Sequence, residues 1–275
     1  MLDALIQARV QSSPCLIWAT ESLTYVEAET VRTWTRFPIL LIGAALVLMP
    51  TSPNLADDAK DETAKPPADA KVLFDGKDLS GWTRTNGTPA PWNVENGYIE
   101  VAPGKGDIMT KEKFGPDFKV HAEFWLPLMA DKKDQGRANS GVYLQGRYEI
   151  QVLDSYMNQT YANGSVGALY GIIAPDKQAQ EKAVKPPEQW NSYDITFRSP
   201  RVDDKGKVTE KGRLTVVLNG VTLIDDGTFD HVTGGALDNK LDQPGPLLLQ
   251  DHGCKVRYRN IWLQPLSRKL GKDIK

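Results

Sequence analysis

From residue 71 onward, apolar and polar positions alternate in short runs that are broken by turn-forming Gly, Pro, Asn and Asp. Val120, Ala122, Phe124 and Leu126 alternate with Lys119, His121, Glu123 and Trp125; Tyr193, Ile195 and Phe197 alternate with Asp194, Thr196 and Arg198. A period of two puts every second side chain on one face, so each run predicts a half-buried β-strand. Asn96-Gly97, within residues 92–101, and Asn219-Gly220, within residues 213–224, read as two-residue hairpin turns, because both residue types tolerate positive φ. Residues 247–250 and 256–263 close the set. No amphipathic helix intervenes, so the pattern predicts an all-β fold, an antiparallel β-sandwich or jelly roll.

The run at residues 140–155, SGVYLQGRYEIQVLDS, is the most informative. Two strands flank a turn at Gly146, and an even loop would mix apolar and charged side chains on each face. An odd, three-residue loop pairs Gln145 with Glu149 and Tyr143 with Gln151. Val142, Leu144, Ile150 and Val152 then share the core face, and Tyr143, Gln145, Glu149 and Gln151 share the other. Asp154 falls on the core face under strict alternation, and a one-residue bulge near Leu153 would turn it to the polar face. The resulting Glu149-x-Gln151-x-x-Asp154 is similar to the E-x-D-x-x-E pattern of sandwich-fold glycosidases, with an amide in the middle place.

The first seventy residues break the strand pattern. Residues 37–49, FPILLIGAALVLM, form an apolar run of thirteen with Arg32 and Arg36 before it and Pro50 after it. That is shorter than the roughly 20 residues a spanning helix needs, and it reads as the core of a secretory signal peptide. Residues 1–56 are therefore expected to be a leader, with residues 1–30 preceding the true translation start. Residues 57–70 are expected to be a charged, Pro/Ala-rich flexible linker, residues 71–266 the β-sandwich, and residues 267–275 a basic tail. The expected location is periplasmic or extracellular, with no stable membrane insertion once the signal is cleaved.

Composition narrows the class further. With 33 Lys+Arg against 35 Asp+Glu, the 275-residue chain has a net charge of -2. A disordered chain and a strongly basic nucleic-acid binder are excluded on this account. Two cysteines exclude a disulfide scaffold. No phosphate loop, dinucleotide fingerprint or G-x-S-x-G elbow occurs, so Ser140 is not read as a nucleophile.

Five stretches together resemble the 3-keto-disaccharide hydrolase domain family: residues 73–82 (LFDGKDLSGW), 140–155, 167–175 (GALYGIIAP), 185–195 (KPPEQWNSYDI) and 246–263 (PLLLQDHGCKVRYRNIWL). The resemblance spans residues 71–266 and implies a concanavalin A-like jelly roll, found in exported bacterial proteins, acting on glycosides oxidised at C3. A ketone at C3 acidifies the hydrogen at C2, so a modest base can remove it. The enolate then expels the C1 substituent, and water adds back. Such a route needs a base near C2, donors at the enolate and an acid at the leaving oxygen.

Glu149 is the best-placed carboxylate for this chemistry, beside Tyr143, Gln145 and Gln151. His252 is the best imidazole, on the face of a strand it shares with Leu248 and Gln250, and an imidazole is the side chain suited to act as base or acid without much tuning. These two are the expected catalytic residues. Tyr143, Gln145, Gln151, Asp154 and Gln250 are expected to bind substrate, with Arg147 able to stabilise an enolate. Trp125, Tyr170 and Trp190 are the expected sugar platforms, and Phe74, Trp82, Trp92 and Trp262 read as packing. No cofactor is expected. A divalent metal stays open, since none of the three histidines forms a local pair, while His252 with Glu149 or Glu123, or calcium around Asp131 and Asp134, would need assembly in space. The expected partner is a carbohydrate, with no nucleic acid and no oligomeric state implied. A non-catalytic carbohydrate-binding module of the same fold is the alternative.

Overall fold

The computed structural model describes residues 64–267. The expected leader (1–56) with its apolar run at 37–49, the first part of the linker and the tail after Ser267 lie outside the described residues. Fifteen strands follow in chain order: β1 (Lys71–Phe74), β2 (Trp82–Arg84), β3 (Asn93–Glu95), β4 (Tyr98–Glu100), β5 (Ile108–Thr110), β6 (Asp117–Trp125), β7 (Asn139–Leu144), β8 (Tyr148–Leu153), β9 (Trp190–Arg198), β10 (Arg201–Val202), β11 (Val208–Glu210), β12 (Gly212–Leu218), β13 (Val221–Phe229), β14 (Leu248–Leu249) and β15 (Arg257–Pro265). The one α-helix among the described residues, α1 (Lys177–Ala183), is capped by the Asp176 carboxylate, which accepts from Ala179 N.

Thirteen of these strands form two antiparallel sheets, and β10 and β11 pair separately as a two-stranded ribbon. The larger runs β13-β12-β9-β6-β15-β4-β3, with β1 also on β15; the smaller runs β2-β5-β14-β7-β8. Both Asn-Gly turns occur as expected, with positive φ at Asn96 and Gly97 and at Asn219 and Gly220. The alternation of β6 and β9 sends Val120, Ala122, Phe124, Tyr193, Ile195 and Phe197 inward to meet Val142, Leu144, Ile150 and Val152 from the smaller sheet. Aromatic rings knit the layers: Phe197 lies 5.1 Å from Phe118 and 5.2 Å from Tyr148. The observed fold is the expected β-sandwich.

Two tyrosines of the larger sheet reach across this core to the smaller one. Tyr193 OH donates to Gln151 O at 2.6 Å, and Tyr258 OH donates to Ser140 Oγ at 2.7 Å, which itself donates to Gln250 O at 2.6 Å. Buried hydroxyls need such partners, and here the partners belong to the strands that carry the polar face. Tyr258→Phe is expected to cost about 1 kcal/mol, the usual net worth of one buried hydrogen bond. Urea unfolding would show this as a lower midpoint at unchanged slope.

Residues 64–70 form no strand, and they are tied to β15: Asn260 Nδ2 donates to Ala64 O, and Gln264 Nε2 donates to Asp69 Oδ1. Trp262 is buried, as expected of a packing residue, but outside the central core. It lies on the outer face of the larger sheet, stacked on His121 with ring centroids 5.0 Å apart. No helix among the described residues is long and apolar enough to cross a membrane.

Candidate active site

The β7–β8 hairpin closes through the three-residue loop Gln145-Gly146-Arg147, with positive φ at Gln145 and Gly146. Its register is one pair away from the expected one. Tyr143 faces Glu149 and Gly141 faces Gln151, whereas the sequence reading paired Gln145 with Glu149 and Tyr143 with Gln151. A slip of two residues preserves which side chains share a face, so the polar face survives. Asn139, Tyr143, Glu149 and Gln151 all border one cleft on the outer side of the smaller sheet.

That cleft, about 280 Å³, is completed by Gln135, Tyr170, Gly234, Gly235, Gln250 and His252. They come from four separate parts of the chain. Residues 167–170 run along the free edge of β8, where Gln151 N donates to Ala168 O and Tyr170 N donates to Glu149 O. Gly234-Gly235 is held by the preceding Thr233, whose hydroxyl accepts from Glu149 N and donates to Arg147 O. A side chain at Gly235, where φ is +74°, would collide with the Tyr143 hydroxyl, and one at Gly141 would stand 2.6 Å from Glu149 Oε1. The strand expected to carry Leu248, Gln250 and His252 on one face ends at Leu249; Gln250 N still donates to Gly141 O, and Asp251 closes the turn by accepting from Gly253 N.

Glu149 sits on the floor of this cleft, 4% exposed. Tyr143 OH donates to Glu149 Oε2 at 2.8 Å and in turn accepts from Gln250 Nε2 at 3.2 Å. Burial disfavours the carboxylate and pushes Glu149 up to about 7; the Tyr143 hydrogen bond works against this rise and the nearby Asp107 charge adds to it. The same burial, with the Glu149 charge, pushes the Tyr143 phenol up, so it stays a donor. Asn139 Oδ1 and Gln250 Oε1 are buried without a partner in the protein. Buried polar atoms are seldom left so, and two orphan acceptors in one cleft suit a ligand rich in hydroxyls.

The remaining expected site residues lie elsewhere. Gln145 turns into the loop and donates to Phe114 O, while Arg147 is buried in an ion pair with Asp238 and a hydrogen bond to Gln243 O. No bulge interrupts the β7–β8 ladder. Asp154 stands past the end of β8, where Arg137 approaches at 3.3 Å and Tyr156 N donates to it. Trp125 and Trp190 lie on the outer face of the opposite sheet, where Arg257 covers the Trp125 ring and Arg259 covers Trp190. Their faces are already occupied by cations. Four cleft residues went unread in the sequence: Asn139, one step along the alternation already used, and Gln135, Gly234 and Gly235, which come from loops with no local pattern.

A second cleft, about 200 Å³, lies beside Trp190 and includes His121, Glu123 and Asp194. Its titratable groups neutralise one another. Against the cost of burial, Asp194 at 2.7 Å and Glu123 hold His121 up at about 9. Against the same cost, His121, Asn260 and Arg259 hold Glu123 down at about 2. His121 and Glu123 are thus each held in the charged form, the opposite of Glu149. Because Glu123 belongs to this face, it cannot share a metal with His252. Among the described residues, no three His, Cys, Asp or Glu side chains are grouped to hold a metal.

Comparison with known proteins agrees with this architecture. A crystal structure from Parabacteroides distasonis, provisionally assigned as a glycosyl hydrolase, is 36% identical over 79% of this chain and 100% of its own, with a TM-score of 0.66. A second such protein from the same organism is 23% identical over 72% of this chain and 94% of its own, with a TM-score of 0.52, and shares the fold. No curated protein matches the chain. The family described as the 3-keto-alpha-glucoside-1,2-lyase-like domain matches residues 69–264. The protein is thereby placed among carbohydrate-active enzymes. With the match covering the whole sandwich, the chain belongs to the 3-keto-alpha-glucoside-1,2-lyase-like domain family.

Proposed function

We propose that the protein cleaves the glycosidic bond of 3-keto-glycosides by elimination across C1 and C2 followed by hydration, with Glu149 as base and His252 as acid. The observation that carries this reading is the Glu149 carboxyl: buried, held near neutrality and facing a cleft with unpaired amide oxygens. A base whose pKa lies near the working pH combines a useful basic fraction with a useful driving force. Glu149 takes the C2 proton, and the C–H electron pair becomes an enolate conjugated with the C3 ketone. The enolate expels the C1–O electron pair, and His252, exposed at the rim, gives its proton to the leaving oxygen. Water then adds to the double bond: hydroxyl goes to C1, the Glu149 carboxyl, its proton by then exchanged with solvent, protonates C2, and the other proton of water restores His252. The sum is hydrolysis.

Tyr143 positions Glu149 and is itself fixed by Gln250. The amide groups of Asn139, Gln151 and Gln250 supply hydrogen bonds to sugar hydroxyls and to the enolate oxygen. Export of the chain, read from residues 37–49, belongs to the same proposal. The test is incubation of the full chain with an aryl 3-keto-glucoside in deuterated water. Release of the phenol with deuterium at C2 of the sugar is the expected result. Saturable binding without release would overturn it in favour of a carbohydrate-binding module.

A further inference from the structure

We propose that Tyr161 and Tyr170 form an aromatic subsite at the mouth of the cleft that takes the leaving-group sugar of a disaccharide, while the oxidised ring lies inside over Glu149. The proposal rests on the reading of the preceding section and names the part of the substrate that reading leaves unplaced. The cleft measures about 280 Å³, just under the roughly 300–1,000 Å³ of pockets that enclose drug-sized ligands. It has room for one sugar ring, so a second ring must lie outside. On one side the wall is the bare backbone of Gly234-Gly235. Elsewhere on the wall stands the Tyr170 ring, and the Tyr161 hydroxyl meets the Tyr170 hydroxyl at 2.5 Å with the rings edge to face at 6.3 Å.

Tyr161 is 45% exposed, yet its position is built. Part of its ring packs on Gly164, where any β-carbon would collide with it. Gln135, a cleft residue, donates from Nε2 to Thr160 Oγ1 at 2.8 Å and to Gly164 O at 2.9 Å, tying down the chain on both sides of Tyr161. Gly171 N donates to Asn163 O, joining the two tyrosine-bearing loops. An exposed ring held this way is preorganised: stacking on the C–H face of a pyranose costs little further ordering. The two hydroxyls share one bridging proton, which leaves the other free to donate to a sugar hydroxyl.

Steady-state kinetics of the wild type, Tyr161→Ala and Tyr161→Phe on methyl 3-keto-glucoside and on a 3-keto-disaccharide test this. Tyr161→Ala is expected to raise KM for the disaccharide about three- to tenfold, the worth of one aromatic contact, and to leave the methyl glycoside within about twofold. Both kcat values should hold, and Tyr161→Phe should keep most of the affinity. An equal effect on both substrates, or none on either, overturns the subsite. If the wild type cleaves neither compound, the reaction reading falls on its own. The subsite is then decided by calorimetric binding of the same two ligands: a preference for the disaccharide that disappears in Tyr161→Ala supports it, and one that persists, or no preference at all, overturns it.

Discussion

Glu149→Gln is expected to lower kcat on a 3-keto-glycoside at least about 10²-fold, the scale for loss of a positioned acid–base group. The replacement is close to isosteric, and its amide oxygen can still accept from Tyr143 OH, which now reaches Glu149 Oε2 at 2.8 Å. Packing and substrate binding should therefore survive, and KM should move little. What the amide cannot do is take the C2 proton, so exchange of that hydrogen with solvent should fall in step with release of the leaving group. His252→Asn is expected to separate the two events. With an alkyl leaving group, which needs a proton, cleavage should fall while C2 exchange continues; with a nitrophenolate leaving group the loss should be small. Full activity in Glu149→Gln would remove the assignment of the base and leave family membership untouched, because the family match rests on residues 69–264 as a whole.

The chance of naming Glu149 from the sequence came from parity. Val142, Leu144, Ile150 and Val152 could share a face only if the hairpin loop was odd, and that alone put Tyr143, Glu149 and Gln151 together on the other. The same parity could not tell the observed register from one slipped by two residues, since both send the same residues outward. Nor could it tell which outer face a strand presents. Trp125 and Glu149 both point away from the core, but β6 belongs to one sheet and β8 to the other, and pairing between distant strands leaves no trace in local alternation. Asp154 and Arg147 show a further limit. Each looked available for substrate, yet each already has a partner, Arg137 and Asp238, that only the folded chain brings near. The loops that finish the cleft at Gln135 and Gly234-Gly235 converge in three dimensions alone. Tyr170 was found through the resemblance of residues 167–175, with no help from periodicity.

The pH dependence of Glu149 should appear in stability and activity with opposite signs. In the folded protein its carboxyl is pushed up from 4.5 to about 7, chiefly by burial. Between these two values the folded state holds a proton that the unfolded chain has lost, so unfolding releases it and stability falls as pH rises. The contribution is fully present below about pH 4.5 and is lost as pH passes about 7; its amplitude is on the order of 3 kcal/mol. Other groups titrate in the same window, so the measurement is a difference: urea unfolding of the wild type and of Glu149→Gln at a series of pH values. The amide does not titrate, and the variant should gain on the wild type as pH rises, becoming the more stable of the two, relative to their order in acid, at about pH 8. Over the same range kcat/KM of the wild type on a nitrophenyl 3-keto-glycoside, whose leaving group does not need the His252 proton, should climb about tenfold per pH unit toward a plateau above about 7, because only the ionised carboxyl can take the C2 proton. A difference curve that is flat from acid to alkaline pH would mean that Glu149 is ionised in the folded state as readily as in the unfolded one. The residue would then be an ordinary solvated carboxylate rather than a buried base, and the cleft would lose the group that distinguishes it from the ion-paired face around His121.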